Sequence, residues 1–182
     1  NFHDVRRSGL IAIKLGKGDE LISASFVERD DEVVLVTRNG QSIHFQESDI
    51  REMGRSAAGV RAIKLGKGDA VINADVVKKG DSNAEVLVLA ELGFGKKTKL
   101  TEYKVQKRGG TGIRTAKVTA KTGKLISAQV VCSEEGELVA ISKKGQVIRV
   151  DLKEIPSLGR QTQGVRIMKL RAGDGIAGLV CL

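Results

Sequence analysis

The residues best suited to chemistry in this chain are arginines set around glycines. The pattern Arg-x-x-x-Gly-[Val/Ile]-Arg occurs as Arg55, Gly59, Arg61, then Arg108, Gly112, Arg114, then Arg160, Gly164, Arg166, with a looser Arg6-Arg7-Ser8-Gly9 ahead of them. A guanidinium offers a planar fork that matches phosphate oxygens. A glycine beside it lets the backbone turn tightly and approach a ligand. Three copies predict three similar phosphate clamps. The structural alternative is that these arginines stitch neighbouring repeats to carboxylates such as Glu47, Asp49 or Glu154.

The densest cationic stretch is 93–117. It holds Lys96, Lys97, Lys99, Lys104, Lys107, Arg108, Arg114 and Lys117 against Glu102 alone. So lopsided a stretch is not balanced by local ion pairs, which leaves its charge for a polyanion. Aromatic residues make up only 3% of the chain, with no Trp and one Tyr. Single-strand binders stack bases on aromatics, so their scarcity points to backbone tracking of a duplex, with Lys and Arg displacing counterions. No helix-turn-helix or zinc-finger pattern for reading bases is present.

Signals for catalysis are weak. Gly95-Lys96-Lys97-Thr98 matches the end of a P-loop but lacks its glycine spacing and following helix. Gly18-Asp19, Gly68-Asp69 and Gly173-Asp174 read as turn residues, not as a carboxylate dyad. His3 and His44 have no Cys or carboxylate partners at ligand spacing, so no metal site is expected. Tyr103 has no base partner and reads as a packed or phosphate-contacting side chain.

The elements that position these residues come from an internal repeat. Gly9, Gly59, Gly112 and Gly164 open related phrases and are 50, 53 and 52 residues apart. The phrases read Gly-Leu-Ile-Ala-Ile-Lys at 9–14, Gly-Val-Arg-Ala-Ile-Lys at 59–64, Gly-Ile-Arg-Thr-Ala-Lys at 112–117 and Gly-Val-Arg-Ile-Met-Lys at 164–169. A second phrase, an apolar run, a glycine turn and an alternating run, occurs at 33–45, 86–98 and 138–150. That is a hairpin signature, strongest at Asn39-Gly40. The unit is therefore a hairpin, a short connection with a turn of helix near Glu47–Met53, and a second hairpin turning at Gly-Asp or Thr-Gly. Four strands per 50 or so residues, with almost no helical periodicity, predict an all-β, propeller-like protein. The expected division is a partial blade at 1–31 and blades at 32–84, 85–136 and 137–182, three of them four-stranded. The first copy lacks its opening hairpin, which reads as a fragment whose upstream blades are missing, the alternative being a terminal strand that closes on another blade.

Composition agrees with a single soluble domain. Lys plus Arg total 31 against 22 Asp plus Glu, for a net charge of +9 and an isoelectric point near 9.7. No apolar run approaches the ~20 residues of a membrane span, and no signal peptide precedes the first repeat. Cys132 and Cys181 follow apolar strand-like runs, so buried free thiols and a cytoplasmic setting are expected.

With these motifs in place, the chain resembles the C-terminal domain of the DNA gyrase A subunit, and more distantly that of topoisomerase IV. The carrying residues are the 9–22 phrase, the run 31–55 ending Gln46-Glu47-Ser48-Asp49-Ile50-Arg51-Glu52-Met53-Gly54-Arg55, the phrase from Gly59, then Gly93-Phe94-Gly95-Lys96-Lys97-Thr98 with Glu102-Tyr103, and Glu154-Ile155-Pro156-Ser157-Leu158-Gly159-Arg160-Gln161-Thr162-Gln163-Gly164-Val165. The resemblance covers 1–182. It implies a β-pinwheel whose blades exchange strands, with duplex DNA wrapped on a positive rim. It further implies no bond breaking by this domain and no cofactor. Its partners would be the gyrase A catalytic core and the gyrase B subunit, which supplies ATP for negative supercoiling. Isolated, the domain is expected to be a monomer. The family's box, Gln-Arg-Arg-Gly-Gly-[Lys/Arg]-Gly, is similar to Gln106-Lys107-Arg108-Gly109-Gly110-Thr111-Gly112, departing at Lys107 and Thr111. The family's box lies in its first blade, whereas about one blade follows Gly112, so 106–112 reads as a later-blade echo.

The candidate DNA contacts are Arg38, Arg55, Arg61, Lys64, Lys96, Lys97, Lys99, Lys104, Lys107, Arg108, Arg114, Lys143, Lys144, Arg149, Arg160 and Arg166. Lys96, Lys97, Lys107, Arg108 and Arg114 are expected to lead. Topoisomerase IV and a propeller binding an acidic protein are the alternative functions.

Overall fold

The structure is a computed structural model that describes residues 9–132 and 136–182. The looser arginine copy at 6–7 and His3 lie outside the described residues. Among the described residues the chain is all-β apart from three short 3-10 turns, as the alternating runs predict. Three hairpins anchor it: β1 (Glu32–Thr37) with β2 (Gln41–Gln46), β4 (Glu85–Ala90) with β5 (Phe94–Lys99), and β8 (Glu137–Ser142) with β9 (Val147–Asp151). The remaining strands are β3 (Val71–Val77), β6 (Ile113–Arg114), β7 (Leu125–Val131), β10 (Val165–Arg166) and β11 (Ile176–Cys181). The 3-10 turns, Glu47–Asp49, Leu100–Glu102 and Leu152–Glu154, follow each hairpin at the same place.

The sheets run β3-β1-β2-β6, β10-β5-β4-β7 and β11-β8-β9. The second hairpin of the repeat unit therefore does not pair with itself. Its later arm returns to its own first hairpin, as β3 does to β1. Its earlier arm pairs with the preceding sheet, where Ile113 faces Ser42 and Arg114 faces Gln41. Likewise Val165 faces Gly95 and Arg166 faces Phe94. The expected third four-stranded blade holds three strands among the described residues. Its fourth position, beside β9, is the one that a following repeat would fill by the same exchange.

Burial explains the strand sequences. In the first sheet Val34 and Val36 pack toward the second sheet, against Val86, Val88, Leu125 and Ala128. Val33 and Leu35 pack on the opposite face with Ile43, Phe45 and Ile63. A strand covered on both faces needs an unbroken apolar run, as in β1 and β4. The β8 strand is covered on one face, and its burial alternates: Leu138 and Ala140 are buried while Ile141 is exposed.

The inner edges converge. The Asn73 amide donates to the Ala128 carbonyl at 2.6 Å and the Val130 N–H to Asp75 at 2.7 Å, tying β3 to β7. β11 packs against β7 in turn. The β6 and β10 edges are consequently the outer ones, and they carry Arg114 and Arg166.

Candidate nucleic-acid interface

The two arginines of each motif have different jobs. The first reaches into the seam between repeats. Arg108 donates from Nε to the Asp49 carbonyl at 2.7 Å and from a terminal nitrogen to the Arg61 carbonyl at 3.0 Å. Arg160 donates from a terminal nitrogen to the Arg114 carbonyl at 3.0 Å. These guanidinium groups are half-buried and committed to backbone, so the phosphate-clamp expectation for Arg108 and Arg160 gives way to the stitching alternative. The acceptors are carbonyls, not the carboxylates that charge alone suggests. The second arginine points the other way: Arg61, Arg114 and Arg166 are exposed. None of the three forms an ion pair among the described residues. Arg166 lies over the Phe94 ring, 5.3 Å from its centroid. Arg55 is half-buried.

Two of the leading candidates are withdrawn. Lys96 is fully buried. Its Nζ donates to the carbonyls of Gly159 at 2.5 Å and Arg160 at 2.9 Å. Burial pushes its pKa down to about 8. Lys97 is also buried and pairs with Glu85 at 3.1 Å. Neither ammonium can reach a phosphate. Repeat register gives the reason. Lys96 occupies the position of Ile43 and Ile148 on the second hairpin strand, and Thr98 that of Phe45 and Val150. In the middle sheet this apolar pair is replaced by donors, and they bond the docked segment 156–160: Lys96 as above, Thr98 Oγ1 to the Leu158 carbonyl, with Leu158 N–H donating back to the Lys97 carbonyl. Lys97 aligns with His44 and Arg149, and each faces the hairpin's first glutamate: His44 on Glu32 at 2.7 Å, Lys97 on Glu85, Arg149 on Glu137. Arg149 therefore belongs to a cross-strand pair first. His44 also donates from Nδ1 to the Tyr103 carbonyl at 2.8 Å.

The other candidates divide by exposure and pairing. Arg38, Lys64, Lys99 and Lys104 are exposed and outside the ion pairs of the described residues. Lys107 is paired with Asp49 at 2.7 Å, yet its side chain is 90% exposed. Lys143 is paired with Glu91 at 3.3 Å, and Lys144 donates to the Ala172 carbonyl at 3.1 Å. In the box-like heptad, Gln106 N–H donates to the His44 carbonyl and Gly109 N–H to the Ala62 carbonyl. Those backbone bonds place 106–112 in a seam, with Lys107 alone presenting an exposed charge from it.

Sequence reasoning misses one recurrent cation. Every motif glycine is followed five positions later by a lysine, Lys14, Lys64, Lys117 and Lys169, and all four are exposed. The regular offset is the available signal; only Lys64 stands among the candidate contacts. Tyr103 is packed, with its hydroxyl 2.6 Å from Thr115 Oγ1, and burial raises its pKa. Asp69 and Asp174 are turn residues that accept from the facing hairpin turns, at Asn39 N–H and Lys144 N–H. The expectation of buried thiols does not hold: Cys132 is exposed and Cys181 half-buried, both free. Cys132 falls just beyond the end of β7, outside the packed part of the strand.

Exchanged antiparallel sheets with converging inner edges and an arginine-bearing outer edge define a β-propeller-type repeat protein with a cationic rim. The family described as "DNA gyrase C-terminal domain, beta-propeller" matches residues 4–28, 31–78, 84–132 and 136–182, and the chain belongs to it. The DNA gyrase A protein of Lawsonia intracellularis is 41% identical over 173 residues, covering 95% of this chain and 21% of that protein. That of Staphylococcus epidermidis is 41% identical over 175 residues, covering 96% and 19%. The chain thus spans about a fifth of the length of these curated relatives. A solved DNA gyrase A C-terminal domain superposes with a TM-score of 0.86 at 28% identity, over 96% of this chain and 58% of that one. A topoisomerase IV C-terminal domain superposes at 0.91 with 21% identity, over 100% and 56%, a likeness of fold. No helix among the described residues is long and apolar enough to cross a membrane.

Proposed function

We propose that this chain is a non-catalytic element that binds and wraps duplex DNA within a gyrase A protein. The observation that carries the reading is the recurrence of an exposed arginine outside any described ion pair two residues after the motif glycine, with Arg114 and Arg166 on successive outer edge strands. Arg61, Arg114 and Arg166, joined by Arg38, Lys64, Lys99, Lys104 and Lys107, form the contact set. Lys143, Lys144 and Arg149 are secondary, since each is already engaged within the chain; Lys107 is kept in the set because its side chain stays 90% exposed despite its pair with Asp49. The relatives' name supports the setting: a cytoplasmic type II topoisomerase in which the gyrase A catalytic core and the gyrase B subunit perform strand passage. The chain acts as one domain, monomeric when isolated, with its repeats dividing at 31/32, 84/85 and 136/137.

Phosphate contacts set position and affinity, while base contacts set sequence preference. The combined variant Arg61→Ala, Arg114→Ala and Arg166→Ala is therefore expected to weaken two unrelated duplexes alike. It should flatten the slope of log affinity against log salt by about 2.7, at about 0.9 per phosphate contact. Titration of both duplexes across a salt series measures this. A hundredfold preference between duplexes would instead reveal direct base readout. Binding to an acidic protein with none to DNA would favour the interaction-propeller reading.

A further inference from the structure

Both rim cations of a repeat have their backbone held by the repeat that follows. Arg61 lies two residues after its motif glycine and Lys64 five; Arg114 and Lys117 stand at the same offsets. The Arg61 carbonyl accepts from Arg108 and the Arg114 carbonyl from Arg160, each at 3.0 Å. Three residues on, the Lys64 N–H donates to the Gly110 carbonyl at 2.7 Å and the Lys117 N–H to the Thr162 carbonyl at 3.0 Å. The first repeat keeps the second of these bonds, from Lys14 N–H to the Ala57 carbonyl at 3.2 Å. Donor and acceptor positions are thus the same in successive seams.

The segment that supplies these bonds is itself anchored. Arg108 is tied by Nε to the Asp49 carbonyl. Around Arg160, Lys96 holds the Gly159 and Arg160 carbonyls, and Glu102 accepts the Arg160 N–H at 3.1 Å. Thr98 holds the Leu158 carbonyl at 2.7 Å. Two exposed cations three residues apart would each lose conformational freedom on meeting a phosphate. Pinning the backbone beneath both removes part of that loss before the ligand arrives.

We propose that the Arg and Lys of each repeat form one composite phosphate-binding unit whose spacing is set by the Arg-x-x-x-Gly segment of the next repeat, with Arg108 and Arg160 as positioning residues. The inference rests on the DNA-binding reading and deepens it. A contact unit spans two repeats, and the register of phosphate contacts passes from one repeat to the next along the rim.

The test is a duplex-DNA salt titration on the whole chain, run with thermal melting. Arg114→Ala with Lys117→Ala is expected to lower the salt slope by about 1.8, two contacts at about 0.9 each. Arg160→Lys keeps the net charge but replaces the rigid guanidinium that reaches the Arg114 carbonyl with a flexible ammonium of different length and shape, and is expected to lower the slope as well. Arg160→Ala added to the Arg114→Ala, Lys117→Ala pair is expected to lower it no further. An unchanged slope in Arg160→Lys, or a further fall of about 0.9 when Arg160→Ala joins the pair, overturns the positioning role and makes Arg160 a direct contact. No effect from the Arg114, Lys117 pair itself sinks the DNA-binding reading at this rim and the inference with it. The same cycle with Arg108→Lys, Arg61→Ala and Lys64→Ala tests the other seam, so a variant that fails to fold in one seam leaves the other decisive.

Discussion

Replacing Gly112 with alanine is expected to lower the melting temperature by roughly 10 °C. Gly112 has φ +70°, and a Cβ there would overlap the Ser42 carbonyl oxygen, standing 2.9 Å from the carbonyl carbon and 3.3 Å from Ile63 Cδ1. The left-handed backbone alone costs an alanine about 1–2 kcal/mol. The closest obstacles are backbone atoms of β2, which cannot swing aside as a side chain would. Relief requires moving β6 away from β2 and losing the Ser42–Ile113 and Gln41–Arg114 pairing. Together the cost is on the order of 3–4 kcal/mol, and each kcal/mol lowers the melting temperature of a chain this size by about 2–4 °C. Gly145 isolates the two causes. It has φ +82° but no atom within 4 Å of the place a methyl group would take, so Gly145→Ala carries the backbone strain alone and is expected to shift melting by only a few degrees. Equal shifts for the two variants would show that the close approach at the seam contributes nothing.

The second large effect is a gain of stability with rising pH that depends on Lys96. Burial holds its folded pKa near 8, against 10.5 for an ordinary lysine. Between those values the unfolded chain binds the proton and the folded chain does not, so stability increases with pH across that window. Below about 8 the full cost of burying the charge is present. The interval corresponds to at most about 3 kcal/mol, an upper bound because the Gly159 and Arg160 carbonyls solvate the ammonium in part. The measurement is denaturant unfolding of the chain and of Lys96→Met from about pH 7.5 to about 10.5, a span set around the usual and shifted values. The wild type should gain on the variant as pH rises. A constant difference would mean that Lys96 is not deprotonated in the folded chain within this window.

Much of the architecture is legible in the order of residues. Apolar runs ended by glycine turns locate all three hairpins, because a strand buried on both faces must be continuously apolar and a tight turn needs a residue that tolerates positive φ. The spacing of Gly9, Gly59, Gly112 and Gly164 sets the repeat, and the excess of Lys and Arg sets the sign of the rim. The Gly-Asp turns read as structural, and their contacts are structural; Tyr103 reads as packed or phosphate-contacting, and the structure packs it against Thr115.

What tertiary structure alone decided is which cation faces which way. A two-residue strand such as β6 or β10 has no periodicity, so strand exchange is implied only by the family resemblance, and no local pattern in 112–117 or 164–169 says which residues pair with the preceding sheet. That exchange places Arg114 on the outer edge. It also turns the motif's first arginine inward, since the following repeat's chain must cross the seam to reach it. Lys96 and Lys97 look like surface lysines because charge and length are the same wherever the side chain ends. Only the docking of 156–160 on β5 supplies the carbonyls that let Lys96 be buried, and only the facing of Glu85 neutralises Lys97. Composition fixes how much positive charge the chain carries. Its distribution between seam and rim follows from long-range backbone pairing, which local sequence does not encode.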